Sequence, residues 1–274
     1  MKDYEGGEME IIVCIKPVLD PDLPSAKFTL DALHNRVIPP EGFPLVINPY
    51  DSLAVEAALR IKGKKDGKIT VITLGDRSAE IIVRKALAMG AEEGLILSDP
   101  AFEESDGFAT AYLLSQAIKK IGKYDLILCG RQAADWDMGI VGSVIAEYLG
   151  IPVVTRAKEI EVLDRKLKVE RVVTDGYETF EIGIPALITV SNELGQARIP
   201  SGWGIIGAAK KEIPIWDAVQ LGSDPARTGK NAVRNKLIQL YTPSYERKCE
   251  IIKRENIAAA AASLAEKIME TKLT

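Results

Sequence analysis

The sequence predicts an α/β fold with a doubly wound, mostly parallel sheet, antiparallel edge strands, and an extended C-terminal arm that ends in a helix. Three observations lead to this class. Short apolar runs alternate with longer amphipathic segments up to residue 150, which is typical of parallel βαβ units. Beyond residue 152, apolar and charged residues alternate one by one, which predicts antiparallel strands with one solvated face. From Trp203 the chain is irregular until a final alanine-rich helix.

The first elements are a buried strand, a surface hairpin and a helix. The run EIIVCI (10–15) is compact and apolar, which predicts a buried strand. Two short β-like pieces between residues 27 and 38 predict a hairpin. The segment NPYDSLAVEAALRIK (48–62) predicts a helix that is capped by Asn48 or Asp51 and packs through an apolar stripe.

Strands and helices then alternate regularly. Glycines follow the predicted helices, where a left-handed residue commonly ends a helix. The pattern predicts strands at 68–76, 93–99 and 124–129, and helices at 78–90, 107–122 and 139–150. Because parallel strands joined by helices form right-handed crossovers, we expect helices on both faces of the sheet.

The last part of the chain predicts edge strands and an arm. Residues 156–174 and 177–184 alternate with period two, and 185–193 predicts a further buried strand. We therefore predict an α/β domain over 1–204 and an extended arm over 205–274. The terminal helix of the arm carries its larger apolar residues on one side: Ile257, Leu264 and Ile268.

Charge distribution and composition exclude several classes of protein. Residues 205–274 hold 12 Lys and Arg against 8 Asp and Glu, whereas the preceding residues hold 23 against 31. The basic residues are scattered and lack interleaved aromatics, which favours a protein partner over nucleic acid. No apolar run approaches the ~20 residues of a transmembrane helix, and the acidic N-terminus is unlike a signal peptide. We expect a cytoplasmic protein that reaches a membrane only through a partner.

The side chains that hydrolases and transferases need are scarce in this sequence. The three cysteines lie far apart without metal-ligand spacing, so we expect neither a zinc site nor disulfides. The single histidine, His34, falls in the predicted hairpin and is interpreted as a surface residue. We therefore assign no catalytic residue and no metal site. A protein whose bound cofactor performs the chemistry would not need these side chains.

The stretch CGRQAADWDMGIVG (129–142) connects a predicted strand to a helix and has features of a nucleotide site. Gly130 and Gly139 would let the backbone approach a ligand, and a helix beginning near Met138 or Gly139 would offer free N–H groups to a phosphate. Asp135 and Asp137 would cap that helix or accept hydrogen bonds from a ribose or adenine. An ordinary strand-to-helix turn with a capping aspartate explains the same residues.

Two further loops favour the nucleotide interpretation. Residues 48–51 open one predicted helix, and 72–78 follow another strand. If the strands ending near Cys14, Leu74 and Gly130 are neighbours, their ends enclose an adenosine-sized crevice. The sequence contains neither GxGxxG nor a P-loop motif, so the usual phosphate fingerprints do not apply.

Several of these segments together resemble the β subunit of electron-transfer flavoproteins. The resemblance covers about residues 10–215 and includes VCIKPVLD, INPYDSLAVEAALRIK, VITLGD, RKALAMGAEEG, LILCGRQAADWDMGIVGSVIAEYLGIP and KKEI. It implies a heterodimer with an α subunit that holds most of an FAD, and a second adenine nucleotide held within β. That nucleotide is AMP in ordinary members and a second FAD, reduced by NADH, in electron-bifurcating members; we slightly favour FAD.

The resemblance also implies the residues that contact the β nucleotide. Carried over position by position, the contacts fall on Cys14, Asn48, Pro49, Tyr50, Asp51, Leu74, Gly130, Arg131, Gln132, Ala133, Ala134, Asp135, Trp136, Asp137, Met138, Gly139, Ile140 and Val141. Arg131 either approaches a flavin ring or pairs with Asp135 or a partner carboxylate. Trp136 either stacks on a ring or covers the loop.

This chain departs from the family pattern at the phosphate-binding positions. Polar residues common in the family are replaced by Ile140 and Val141, so backbone amides would have to bind the phosphate. The slots held by Trp136 and Met138 are Gly and Thr in bifurcating members, which weakens the two-flavin interpretation.

The resemblance implies a docking loop for a redox partner. The family loop NEPRYxxLP corresponds to NELGQARIP (192–200) here, and we expect Asn192, Glu193, Leu194, Arg198 and Pro200 to dock an acyl-CoA dehydrogenase-type or quinone-reductase-type partner. Leu194 is the residue expected to enter that partner. Trp203 and Trp216 are expected to anchor the α subunit.

The implied function is electron transfer from a dehydrogenase, or from NADH in the bifurcating version, to a second acceptor. A stand-alone ATP-binding or stress-type protein on the same fold is the alternative. Such proteins carry a glycine- and serine-rich phosphate loop, which Ile140 and Val141 do not provide.

Overall fold

The computed structural model describes residues 8–24, 27–31, 33, 35–242 and 249–270. The chain forms two compact units, a larger one up to Thr29 and over Val37–Ile238, and a smaller one over Leu30–Arg36 and from Gln239. The predicted functional division at residue 204 stays a prediction. The prediction for His34 lies outside the described residues.

Thirteen strands are present in the described parts of the chain. They are β1 (Met9–Cys14), β2 (Pro17–Val18), β3 (Thr29–Asp31), β4 (Arg36–Ile38), β5 (Val46–Ile47), β6 (Gly67–Leu74), β7 (Glu93–Leu97), β8 (Leu126–Gly130), β9 (Val153–Val162), β10 (Lys166–Val173), β11 (Gly176–Gly183), β12 (Ala186–Val190) and β13 (Ile215–Trp216). Nine of them form one sheet in the order β11-β10-β9-β12-β8-β1-β6-β7-β13. Strands β2 and β5 form a second small sheet, and β3 and β4 form a third.

The predicted fold class is confirmed. In the spatial order of the sheet, each pair of neighbouring strands from β9 through β12, β8, β1, β6 and β7 to β13 is parallel. Strands β10 and β11 extend the sheet beyond β9 with antiparallel pairing. Along β9 and the first half of β10, buried residues alternate with more exposed ones, as the period-two pattern predicts, whereas β11 at the sheet edge has no buried residue.

Seven α-helices lie in the described residues: α1 (Pro49–Lys62), α2 (Glu80–Met89), α3 (Gly107–Ile121), α4 (Val141–Leu149), α5 (Gly202–Ala209), α6 (Ala218–Leu221) and α7 (Ile257–Glu270). Helix α7 belongs to the smaller unit and has the predicted exposed face. Helices α2 and α4 end at Gly90 and Gly150, whose positive φ angles of 132° and 66° suit glycine. None of the described helices combines the length and apolar character needed to cross a membrane.

The core lies on both faces of the sheet. Along β1, Ile11 and Val13 join the cluster that contains the buried faces of α1 and α2. The alternating residues Ile12 and Cys14 join the opposite cluster, with α3 and α4. A continuous apolar strand is therefore needed at this position, because both of its faces are buried.

The segment after Trp203 is more regular than the sequence predicts. Residues 202–209 form α5, and Trp216 lies in β13, which pairs with β7 at the sheet edge. A Cβ on Gly204 would lie 2.3 Å from the Ala88 carbonyl oxygen, so α5 approaches α2 closely through glycine. Trp216 is half-buried with the Lys120 ammonium 4.9 Å from its ring, whereas Trp203 is exposed. Trp216 is thus partly packed within the larger unit, and its predicted anchoring of the α subunit stays a prediction.

Candidate functional site

The candidate site is the edge of the sheet where β6, β1 and β8 end. These three strands are adjacent, as the crevice hypothesis requires, and their last residues are Leu74, Cys14 and Gly130. The loop 131–140 follows β8, and we call it the rim loop. The first turn of α1 lies at the same edge. The structure therefore brings the predicted nucleotide-binding segments together, while nucleotide contact itself stays a prediction.

Asp51 joins the three segments of the rim. One carboxylate oxygen accepts the Lys16 backbone N–H at 2.7 Å, and the other accepts the Gly130 N–H at 3.0 Å. The predicted capping role of Asp51 is wrong, because the residue lies inside α1 and is buried there. A Cβ on Gly130 would lie 2.4 Å from this carboxylate, so glycine is required for the contact.

The buried position of Asp51 also changes its charge. Burial raises the pKa of this carboxyl to about 7, although hydrogen bonds from the Lys16 backbone, the Asn48 side chain and the Gly130 backbone oppose the shift. Near neutral pH the group is about half protonated. Asp51 therefore adds little negative charge to a rim expected to hold a phosphate.

Asn48 holds the rim loop instead of capping α1. Its side-chain N–H donates to the Gln132 carbonyl at 2.8 Å, and its side-chain oxygen accepts the Ala134 N–H at 3.1 Å. No side chain caps α1. Asn48 occupies the N-cap position of α1, as predicted, but its side chain makes no cap hydrogen bond and instead fixes the backbone of the loop where the ligand is expected.

The two aspartates of the rim loop pair within the rim. Asp135 forms an ion pair with Lys16, and Asp137 accepts the Gln132 side-chain N–H at 2.7 Å. Neither caps α4, which begins at Val141, later than the predicted start at Met138 or Gly139. The turn before the helix uses left-handed backbone at Asp137 and Gly139, with φ angles of 51° and 62°.

The N-terminus of α4 has no side-chain cap. Helices α3, α5 and α6 are capped by Asp106, Ser201 and Asp217. The first amides of a helix lack partners within the helix and attract anions. Ile140 and Val141 bring no polar side chain, so only backbone N–H groups are available there. This start can receive a phosphate that approaches along the rim.

The positions of Arg131 and Trp136 can be compared with the two alternatives predicted for each residue. The Arg131 guanidinium lies 5.0 Å from the centre of the Tyr50 ring and donates to Asn192 at 3.2 Å. The pairing of Arg131 with Asp135 is wrong, since Asp135 pairs with Lys16. The Trp136 and Met138 side chains are about half exposed at the rim. Neither is buried beneath the loop.

Cys14 and Cys129 lie opposite each other on adjacent strands β1 and β8. Both are buried, as expected for small apolar residues. A hydrogen bond with Cys14 and burial raise the pKa of the Cys129 thiol well above its usual range. The Cys129 thiol therefore stays protonated near neutral pH, and both cysteines lie at the ends of their strands at this edge.

The predicted docking loop is well ordered against α1. Residues Asn192–Leu194 form a short 3-10 helix, and Asn192 and Glu193 are exposed. Leu194 packs in the core and is only 9% exposed, so its side chain does not project toward a partner. Ile199 does project, with 90% of its surface exposed, and it directly precedes Pro200, like the leucine of the family loop.

Sequence reasoning missed the residues that fix this loop. Glu56 on α1 is buried and accepts hydrogen bonds from the backbone and the guanidinium of Arg198. Burial raises the pKa of Glu56, but the hydrogen bonds from Arg198 and Arg60 outweigh it and hold the pKa below its ordinary value. The spacing of Glu56 and Arg60 by four residues could have indicated this pair.

Comparisons with known proteins agree with the geometry. Residues 38–221 match the family described as the electron transfer flavoprotein domain. The chain is 43% identical to the electron transfer flavoprotein subunit beta of Thermoanaerobacterium thermosaccharolyticum, over 95% of this chain and 98% of that protein. It is 40% identical to the caffeyl-CoA reductase-Etf complex subunit CarD of Acetobacterium woodii, over 96% and 98%. Protein FixA of Azotobacter vinelandii is 36% identical over 79% of this chain and 77% of its own length.

Proposed function

Because the chain belongs to the electron-transfer flavoprotein family as a β subunit, we propose that its rim holds an adenine nucleotide within a heterodimer that transfers electrons. The α subunit is the expected partner. The observation that carries the nucleotide proposal is the uncapped start of α4 beside a loop fixed by Asn48. Helices α1 and α2 also begin without a side-chain cap, but α1 begins at a proline and α2 follows a 3-10 turn capped by Asp76, whereas α4 directly follows the rim loop.

Charges at the rim suit an anion. Asp135 is neutralised by Lys16, Asp51 is half protonated at neutral pH, and Asp137 accepts a side-chain N–H from Gln132. Because Lys16 and Arg131 balance Asp135 and Asp137, the positive end of the α4 dipole is not opposed by a large net negative charge. We assign the phosphate to the backbone amides that follow Gly139, and the ribose and adenine to the surface formed by Asn48–Asp51 and the rim loop.

This chain would bind and orient the cofactor, while the flavin when bound supplies the reversible electron transfer. Arg131 and Lys16 place positive charge at the rim, where it would favour a reduced, anionic ring. The remaining contacts are the predicted ones: Cys14, Pro49, Tyr50, Leu74, Gly130, Gln132, Ala133, Ala134, Trp136, Met138, Ile140 and Val141.

We favour FAD over AMP as this nucleotide, with NADH as its reductant. Although Trp136 and Met138 differ from the Gly and Thr of bifurcating members, the half-exposed Trp136 ring offers a flat apolar contact for a ring system larger than adenine. AMP would leave this surface in solvent. A rim that holds AMP alone would make the protein a simple electron carrier.

We propose that residues 192–200 dock the redox partner, an acyl-CoA dehydrogenase-type or quinone-reductase-type flavoprotein. Ile199 replaces Leu194 as the side chain that enters the partner, because Leu194 is buried in this chain. The name of the relative CarD places that protein in a caffeyl-CoA reductase complex, which supports an acyl-CoA-type partner. Trp203 is reassigned with Ile199 to the redox partner, and the α subunit is proposed to contact the part of the arm after residue 211 and the exposed face of α7.

Counting nucleotides tests the proposed function. The chain is co-expressed with its α subunit, the heterodimer is extracted with acid, and FAD and AMP are measured per heterodimer. Two FAD with flavin bleaching by NADH support bifurcation, whereas one FAD and one AMP support the simple carrier. One FAD with no second nucleotide would contradict the rim site.

Gly139→Glu locates the phosphate, and Gly139→Gln is its matched control. Both variants carry the same strain, because Gly139 has a φ of 62°. Only Glu adds negative charge where the phosphate is expected. We expect the Glu variant to lose the β nucleotide and the Gln variant to keep more of it. Equal occupancy of both variants would place the phosphate elsewhere.

A further inference from the structure

Two arginines on different helices hold the two ends of one exposed segment, residues 194–211. On α1, Arg60 donates to the carbonyl oxygens of Leu194 at 2.9 Å and Gln196 at 3.3 Å. On α2, Arg84 donates to the carbonyl oxygens of Ala208 at 2.8 Å and Lys211 at 3.3 Å. We call residues 194–211 the pinned segment.

Each arginine is itself held by a glutamate one turn earlier on its own helix. The Arg60 Nε donates to Glu56 at 2.9 Å, and the Arg84 Nε donates to Glu80 at 2.7 Å. One edge of each guanidinium is thus fixed by a carboxylate, and the nitrogens beyond it contact the backbone. A planar fork can make both sets of contacts at once, whereas a lysine ammonium cannot orient them together.

Between the two arginines the pinned segment presents large apolar side chains to solvent. Ile199 and Trp203 are 90% and 84% exposed, and Ile205 and Ile206 are each more than half exposed. Gly195 has a φ of 109°, and Gly204 lies against the Ala88 carbonyl, so the segment has little freedom to fold these side chains inward. Because these apolar side chains are exposed, the polar contacts that fix the backbone do not serve to bury them.

We propose that Arg60 and Arg84 are positioning residues that preorganise the pinned segment for the redox partner. This inference rests on the proposed docking function and identifies what makes that surface rigid. Ordering a loop when the complex forms costs free energy, so a segment that is fixed beforehand binds more tightly. The arginines act through the backbone and do not contact the partner.

The test uses the heterodimer and an acyl-CoA dehydrogenase with its acyl-CoA substrate as the electron donor. Arg60→Gln and Arg84→Gln are each compared with Arg36→Gln, which removes an exposed ion pair with Asp31 in the smaller unit. We expect each of the first two to raise the KM for the dehydrogenase about tenfold with kcat unchanged, since a preorganised loop favours association. Arg36→Gln leaves the KM unchanged.

Two further measurements separate positioning from general destabilisation. Amide hydrogen exchange is expected to increase in residues 196–206 of both variants, and the rate of ferricyanide reduction by the reduced heterodimer should be unchanged. Arg60→Lys, which retains charge but lacks the fork, should restore only part of the affinity. Full restoration by lysine, or unchanged exchange in 196–206, would overturn the positioning role.

Ile199→Asp distinguishes this inference from the docking proposal. If Ile199→Asp raises the KM while the two arginine variants do not, the docking function stands and the positioning role is overturned. If Ile199→Asp and both arginine variants leave the KM unchanged, the docking function fails and the inference fails with it. An increase in all three variants supports both.

Discussion

Helices α3 and α4 pack on the same face of the sheet, yet their first turns are completed differently. In α3, Asp106 accepts the backbone N–H groups of Phe108 and Ala109, each at 3.0 Å. In α4 the helix begins after Ile140 without any side-chain cap. One helix start is satisfied by the fold itself, whereas the other remains available to a ligand. The difference supports the proposal that a phosphate completes the first turn of α4.

The surroundings of the two starts support this interpretation. Asp106 also accepts the N–H groups of Arg234 and Asn235, so its carboxylate fastens a distant segment as well as the helix. The aspartates near α4 face other groups, namely Lys16 and the Gln132 side chain. Carboxylates thus lie close to the starts of both α3 and α4. Of these carboxylates, Asp106 caps its helix, whereas Asp135 and Asp137 do not cap α4.

Gly130→Ala should have the largest effect, because it removes the support of the open helix start. The added Cβ would lie 2.4 Å from the Asp51 carboxylate and 2.7 Å from the Tyr50 backbone, which displaces α1 from the rim. We expect a loss of about 3 kcal/mol or more of unfolding free energy, since overpacking against backbone is poorly relieved. Chemical denaturation measures it. Gly183→Ala, where nothing lies within 4 Å of a Cβ, is the control and should be near neutral.

Asp106→Ala should have the next largest effect and addresses the capped helix directly. The substitution removes the acceptor of four backbone N–H groups, so we expect a loss of about 2 kcal/mol of unfolding free energy. The loss of nucleotide should be small. Asp137→Asn is the counterpart beside α4, because Asn tolerates the left-handed backbone at φ 51°; it should have little effect on stability and a larger one on nucleotide occupancy. Equal destabilisation by the two variants would remove the distinction between the helix starts.

Asp51 gives the rim a pH dependence that differs in sign from that of the capped start. Its pKa is raised to about 7, so between about pH 4 and 7 the folded protein keeps a proton that the unfolded chain releases. Its contribution to stability is therefore present at low pH and is lost as the pH rises through 7, at no more than about 1.4 kcal/mol per pH unit. Asp51→Asn should remove this slope.

The pH dependence at Asp106 has the opposite sign. Although burial raises the pKa of Asp106, its hydrogen bonds with Ala109, Arg234, Asn235 and Phe108 lower it overall. Its contribution is present above the pKa of an unfolded aspartate and is lost as the pH falls below about 4. Thermal midpoints of the wild type, Asp51→Asn and Asp106→Ala, measured from pH 3 to 8, separate the two contributions. Identical profiles for the wild type and Asp51→Asn would contradict the assignment.

The fold could be predicted because each strand and each helix has its own apolar pattern within a short stretch of sequence. These patterns alternate along the chain as expected for βαβ units. The rim could be predicted for the same reason, since strand ends of a parallel sheet meet at one edge. The contacts within the rim were not predictable. Asp51 bonds to Gly130, which lies 79 residues away, and nothing in the helix pattern distinguishes this buried carboxylate from a capping one.

The errors at α4 and α5 have specific causes. Two aspartates preceding an apolar run imitate an N-cap, so the predicted helix began too early and was capped by residues that bond elsewhere. In GWGIIGAA (202–209) the glycines lower the intrinsic helix propensity, and the helix exists because Gly204 permits close packing on α2. The Leu194 prediction failed because the sequence did not show which apolar residue of the loop is buried.

Lys16→Gln should have the smallest effect on stability and tests the electrostatic side of the open start. Lys16 pairs with Asp135 through partly exposed side chains, and such pairs contribute about 0–1 kcal/mol. Removing the lysine leaves Asp135 uncompensated beside the phosphate site, so nucleotide affinity should fall severalfold although folding is nearly unaffected. Titration of the heterodimer with nucleotide at low and high salt measures this, and added salt should reduce the difference because it screens exposed charges. An effect that is independent of salt would indicate that Lys16 contacts the ligand directly, and the neutralising role of the ion pair would then be wrong.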